Sequence, residues 1–329
     1  MREAPAKRFA GASLLWIGGG SMRWKKIKKI LMRDWQYYLF MLLPVAYIIV
    51  FAYVPMVGVQ LAFRKYTARG GPWGSKWIWF DNFIKFFNSY QFSRVVGNTL
   101  ILSVYGLATA TVVPICFALI VNTIESTKFK KVTQTIVNLP HFISVVVLVG
   151  ILMQLFNNRT GVYGSLGMHL TGQYPPDLFG MQGTFRHMYI WSGVWQNFGW
   201  SSIIYIAALA GVDQELHEAA QIDGASRVQR IRYIDFPHIT PTIVILLIMG
   251  IGSIMGVGFE KAYLMQNSLN LSKSELISTY VYKQGVAGTT GKTDVSYATA
   301  IGLFNSVVNL VLILIANTVS RKVTETSLW

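Results

Sequence analysis

The stretch EAAQIDGASRVQRIRYIDFP, residues 218–237, has an odd composition for a connector. Charges alternate in sign, small residues come in pairs, and apolar residues recur at helical spacing: Leu216, Ala219, Ala220 and Ile222, then Val228, Ile231 and Ile234. That period predicts two short amphipathic helices. Asp223-Gly224 marks the reversal between them, because glycine reaches the positive φ that a sharp turn needs. Pro237 is expected to close the second helix. The small side chains of Ala219 and Ala220 let a partner backbone approach closely, and Glu218 and Arg227 offer charges to orient it. A helix of this kind plugs into a groove on another protein.

The rest of the chain says where such a loop would hang. Of 329 residues, 53% are hydrophobic and only 13% charged, against a usual charged share of roughly 25%. The apolar excess must face lipid. Runs long enough to cross about 30 Å of hydrocarbon lie near residues 36–62, 94–121, 133–156, 188–211, 241–263 and 297–320. The first contains YYLFMLLPVAYIIVFAYVPMVGVQLAF (37–63) and is unmistakable. The fourth, HMYIWSGVWQNFGWSSIIYIAALAG (187–211), is interrupted by Trp, Gln, Asn and Ser, which fits packing inside a bundle or along a pathway.

Lys and Arg set the direction. Basic groups precede span one (Arg23, Lys25, Lys26, Lys28, Lys29, Arg33) and follow span two (Lys128, Lys130, Lys131), span four (Arg227, Arg230, Arg232) and span six (Arg321, Lys322). The positive-inside rule puts all of these, and both termini, in the cytoplasm. The expected organisation is all-α: a cytoplasmic extension over 1–35, a six-span domain over 36–320 with the loop 212–240 between spans four and five, and a tail over 321–329. Phe9–Ile17 reads as part of that extension, not as a signal peptide. The net charge of +15 punctuates apolar segments and comes with no nucleic-acid-binding motif, so nucleic acid is not an expected partner. The single cysteine, Cys116, excludes an internal disulfide and reads as a small buried hydrophobe.

The loop and its surroundings resemble the permease subunits of bacterial ATP-binding-cassette importers. Glu218-Ala219-Ala220, three residues, Gly224, nine residues and Ile234-x-Phe236-Pro237 match the family's EAA signature, with Phe236 where the family usually has Leu. Asp34-Trp35-Gln36-Tyr37-Tyr38, Asn82-Phe83 and Asn98-Thr99-Leu100 are similar to the carbohydrate branch. Phe129-Lys130-Lys131 and Leu139-Pro140-His141-Phe142 are similar to the part of that branch that handles polysaccharide fragments, with an overall likeness to the first membrane subunit of alginate importers. The resemblance implies a type I importer permease in the bacterial inner membrane, whose EAA loop docks on a separate ATPase through Glu218, Ala219, Ala220, Asp223, Gly224, Arg227 and Pro237. It further implies a second permease subunit that is a different chain, two copies of the ATPase, and an external solute-binding protein. ATP and Mg would bind the ATPase, and no cofactor this chain. A bulky residue at Gly224 is expected to uncouple hydrolysis from transport.

Sugars are held by aromatic faces and by groups that both donate and accept hydrogen bonds. Trp191, Trp195, Gln196 and Asn197 in span four, and Asn305 and Asn309 in span six, are the pathway candidates. The alternatives are interfacial tryptophans and interhelical hydrogen bonds. The outer loops hold ten basic residues, Arg64, Lys85, Arg186 and Lys283 among them, against Asp81, Asp177, Glu275 and Asp294. This excess would steer a polyanionic substrate such as a polyuronate, or an acidic binding protein. GVAGTTGKT (285–293) looks like a phosphate-binding loop, but the first glycine would have to stand at Val286, and no strand precedes it. The histidines lack metal-ligand spacing and no nucleophile motif occurs, so neither a metal site nor an enzyme is expected. An ATP-independent transporter or channel is the alternative; it would call for repeats or ionisable groups at mid-membrane.

Overall fold

The computed structural model describes residue 29 and residues 32–288 and 293–324. The expected extension through Phe9–Ile17 and the last residues of the tail lie outside this range. The described residues up to 60 and those from 61 on form two compact units. The helix α1 (Trp35–Phe63) begins in the first. Its turn over Ile49–Tyr53 widens to a π-turn just ahead of Pro55.

The second unit starts with a small antiparallel pair, β1 (Arg64–Lys65) and β2 (Lys76–Trp77), with Arg64 opposite Trp77. Helices follow: α2 (Asp81–Phe87), α3 (Tyr90–Asn122), α4 (Thr127–Asn138), α5 (Val145–Leu155), α6 (Val162–Thr171) and α7 (Thr184–Leu209). Then come α8 (Gln214–Ile222), α9 (Arg227–Gly252), α10 (Phe259–Met265), α11 (Ile277–Tyr282) and α12 (Val295–Thr324). Among the described residues α1, α3, α9 and α12 are long and apolar enough to cross a membrane, and α4 with α5 adds a fifth crossing if the bent pair is one span. The 26 residues of α7 have the length, but the polar residues noted in its sequence dilute its hydropathy.

The helix pair α3–α7 is the spine. Leu102, Val149, Phe185, Ile190 and Met265 pack together around it on one level, and Ile115, Ala118, Tyr205, Leu209 and Ile239 on another. A third cluster joins Phe86, Val95, Ile277, Tyr280 and Ile301. Lipid tails are as apolar as these side chains, so close packing and interhelical hydrogen bonds, not escape from water, hold such helices together.

The structure corrects several expected features. The run near 133–156 is not one helix. After α4 a tight turn covers Leu139–Phe142, and the axis bends by 96° before α5. Pro140 withdraws a backbone donor, and Ser144 restarts the helix by accepting from Val147 N (3.3 Å). Span five, expected over 241–263, begins as α9 at Arg227 and stops at Gly252, because the glycine-rich stretch that follows disfavours helix. Pro237 does not close a helix. The π-turn Ile231–Asp235 precedes it, as one precedes Pro55, and the wider turn relieves the ring's clash with the carbonyl four residues back. Cys116 lies on the exposed side of α3; apolar neighbours in sequence do not separate a core-facing from a lipid-facing position.

The motifs around residues 82–99 and the loop charges also find structural partners. Thr99 Oγ1 accepts from Ile277 N (3.0 Å) and Asn98 Nδ2 donates to Ser272 O (2.9 Å) and Glu275 O (3.1 Å), latching the segment before α11 onto α3. Arg186 donates to Asn98 Oδ1 (2.8 Å), and buried Glu275 pairs with Arg94 and Lys283. Arg64 lies over Trp77, and Lys85 pairs with Asp294 (3.0 Å). Part of the basic excess is therefore engaged within the fold, while Lys65, Arg69, Lys76, Arg159 and Lys273 stay exposed. The phosphate-loop lookalike starts in a helical turn, Lys283–Ala287, that follows helix α11 and not a strand.

Candidate functional site

The EAA loop is a rigid helical reversal. Asp213 caps α8 by accepting from Glu215 N (3.0 Å). At the other end Ala225 N donates to Ala220 O (2.8 Å) and Gly224 N to Gln221 O (3.0 Å), with Gly224 at φ +80°. This pair of bonds is the Schellman closure, which needs a left-handed residue where Gly224 stands. Ser226 and Gln229 then cap α9 reciprocally: Gln229 N donates to Ser226 Oγ (3.4 Å) and Ser226 N to Gln229 Oε1 (2.7 Å).

The loop's outer face is open. Glu218, Ala219, Asp223, Gly224, Arg227 and Pro237 are exposed and Ala220 is half-buried. Ile222 is 87% and Val228 73% exposed, an apolar pair at a polar tip that only a partner would cover. The inner face is tied down. His217 Nε2 lies 3.1 Å from Oδ1 of buried Asp235 on α9, and Asn122 Nδ2 at the end of α3 donates to the same oxygen (3.3 Å). Arg227 pairs with Glu125 (3.0 Å) beyond α3. A push on α8 is thus carried into two long helices.

The second feature lies at the break between α4 and α5. Gln196 Nε2 on α7 donates to Ile143 O (2.7 Å), a carbonyl freed by the break. His141 stacks on Trp200 at 4.5 Å and donates from Nδ1 to Asn197 Oδ1 (3.0 Å); Asn197 Nδ2 donates to Gly193 O (3.0 Å). A Cβ at Gly199 would lie 2.5 Å from Val137 O, so only glycine lets α7 approach α4 here. Beside these contacts, α3, α7, α10 and the start of α5 border a half-open cavity of about 440 Å³. Its lining includes Gln196 and Asn197 together with Tyr189, Phe198, Phe259 and Lys261.

The match is to the family of binding-protein-dependent transport system inner membrane components, over residues 110–325. The chain belongs to this family. As an importer permease it is a membrane component and not an enzyme; the ATPase is a separate subunit, and a binding protein and partner subunits complete the system. That leaves the ATP-independent alternative without support. Protein LplB of Bacillus subtilis is 40% identical over 329 residues, covering 100% of both chains. The polygalacturonan/rhamnogalacturonan transport system permease protein YteP of the same organism is 36% identical over 308 residues, 93% of this chain and 94% of that one. A crystal structure of a bacterial ABC transporter involved in import of the acidic polysaccharide alginate superposes with a TM-score of 0.82 at 38% identity, covering 91% of this chain and 99% of its own.

The permease brings only some of the pathway candidates to the cavity. Gln196 and Asn197 line it. Trp191 and Trp195 are not among its lining residues and are 50% and 48% exposed. Asn309 Oδ1 accepts from Met255 N (3.0 Å), steadying the break after α9, and the buried Oδ1 of Asn305 has no protein partner among the described residues. Gln196 and Asn309 thus serve backbone left open by broken helices, which lipid would not satisfy. Gln196→Leu is expected to cost about 1–3 kcal/mol, because Ile143 O loses its donor; the thermal stability of the purified complex measures it. Sequence reasoning passed over Lys261, which sat unmarked within an expected span, and the His217–Asp235 tie, whose members stand on different helices.

Proposed function

We propose that this chain forms half of the pathway of an ATP-driven importer of acidic oligosaccharides, paired with a different permease chain. Two ATPase subunits, binding ATP and Mg, dock beneath on the EAA loops, and an external binding protein delivers the sugar. The chain sits in the bacterial inner membrane with both termini in the cytoplasm, since the basic loops at Lys128–Lys131 and Arg227–Arg232 share one side under the positive-inside rule.

The observation that carries this reading is the EAA loop: an exposed, capped reversal whose apolar tip lacks a cover and whose inner face grips α9 and α3. ATPase closure moves α8, and the rigid tie rocks the long helices, a coupled change between two packed arrangements. The substrates named for the 36% and 38% identical relatives, polygalacturonan/rhamnogalacturonan and alginate, support the acidic class.

The test is ATP hydrolysis by the complex, co-expressed with the adjacent ATPase and permease genes, in proteoliposomes with the binding protein. Stimulation by acidic oligosaccharides, lost in Glu218→Arg, is expected. Stimulation by neutral sugars alone would leave the importer standing and remove the acidic substrate. Failure of any ATPase to co-purify would remove the docking role of residues 218–237.

A further inference from the structure

We infer that Lys261 is the carboxylate-recognising group of the pathway cavity; this deepens the proposed acidic-sugar reading and rests on it. Lys261 is only 8% exposed. Lysine is almost never this buried without a counter-charge, because removing an ammonium from water is costly. Here Nζ donates to Tyr189 O (2.8 Å) and sits 4.9 Å from the Tyr189 ring centroid. No described carboxylate lies within 4.0 Å of it. A carbonyl and a ring face take up part of the charge, and the remaining ammonium donors stay free for a ligand.

The surroundings are built for a sugar. The cavity that Lys261 lines also includes Tyr189, Phe198 and Phe259, with the hydroxyl of Ser201 and that of Thr109, whose proton is given to Tyr105 O. Aromatic faces take the apolar face of a pyranose, and hydroxyls exchange hydrogen bonds with its ring substituents. A uronate adds one carboxylate to that pattern, and the ammonium is the group that answers it. The backbone makes room on purpose: a Cβ at Gly193 would stand 3.1 Å from Nζ. Two chain breaks converge here, since Lys261 follows the one after Gly252 and Val145, just past the other, also lines the cavity. Broken backbone at membrane depth is tolerated where it lines a cavity. Glu260 also lines the cavity; it is exposed, and its carboxylate lies beyond 4.0 Å of Nζ.

The experiment uses the full complex in proteoliposomes with its binding protein and compares a uronate tetrasaccharide with its carboxyl-reduced, neutral counterpart, both at saturating concentration. Lys261→Met keeps volume and removes charge. It is expected to lower uptake of the acidic sugar roughly tenfold or more, as loss of one partner of a desolvated charge pair does, with neutral uptake changed less than about twofold; Lys261→Arg should retain most acidic uptake. Should Lys261→Met fail to assemble, Gly193→Ala, which crowds Nζ, is expected to raise the KM for the acidic sugar alone when each sugar is titrated through subsaturating concentrations. Equal loss for both sugars, or for neither, overturns the inference while the acidic-sugar reading stands. A wild-type complex that moves only the neutral sugar overturns both.

Discussion

Gly224→Val is expected to abolish stimulation of the partner ATPase by the loaded binding protein, whereas Gly224→Asn keeps most of it. The cause is backbone geometry, not space. Gly224 sits at φ +80° with no atom within 4 Å of where a Cβ would stand, so a side chain meets no obstacle inside the permease. The left-handed conformation itself costs a residue with a Cβ roughly 1–2 kcal/mol, a β-branched residue more, and asparagine least. Relaxing that strain means giving up the Schellman bonds from Ala225 N and Gly224 N, which fix the angle between α8 and α9. At about 1.4 kcal/mol per factor of ten, Gly224→Ala should fall between the two, with stimulation reduced and basal hydrolysis kept. A ranking by side-chain size instead, with asparagine as damaging as valine, would mean that contact with the ATPase and not φ governs the position.

The same glycine explains why this part was legible from the sequence. A turn needing positive φ leaves a mark on residue type. Apolar run length made most of the spans legible in the same way. The breaks left weaker marks. IVNLPHFISVVVLVGIL reads as one apolar run, and Pro140 alone does not foretell a 96° bend, since Pro44, Pro114 and Pro241 stand inside helices that continue. Pro237 misled for the converse reason: the π-turn before it absorbs the penalty that a local rule assigns.

The cavity was half legible. Gln196 and Asn197 stood out as polar residues in a span, and both line the cavity. Their hydrogen-bond partners, Ile143 O and His141, come from a segment more than fifty residues earlier, and only the fold shows that these amides steady a broken helix. Lys261 was hidden because a lone lysine near the end of an apolar run reads as an interfacial anchor. Its burial follows from the earlier stop of α9 at Gly252, which returns residues 259–265 to the bundle against α5 and α7.

Gly199→Val should prevent recovery of an assembled complex, and even Gly199→Ala should weaken it, while Gly150→Ala one helix away is silent. A Cβ at Gly199 would approach Val137 O to 2.5 Å, Val137 Cγ1 to 2.7 Å and Asn138 Oδ1 to 2.8 Å, and the first of these is backbone that cannot swing aside. At Gly150 nothing lies within 4 Å. Overpacking of a tight contact costs about 1–3 kcal/mol, or more where backbone must shift. Here the displaced backbone is the end of α4, immediately before the tight turn that carries His141. Moving it apart from α7 strains the His141–Asn197 bond, the His141–Trp200 stack and the Gln196–Ile143 bond together, so the loss exceeds that of the Gln196→Leu change alone. Size-exclusion profiles and thermal stability of the purified complex read the effect directly. A Gly199→Val complex as stable as the Gly150→Ala control would show that α4 and α7 are not held at this separation, and that the contacts of His141 and Ile143 with α7 do not depend on it.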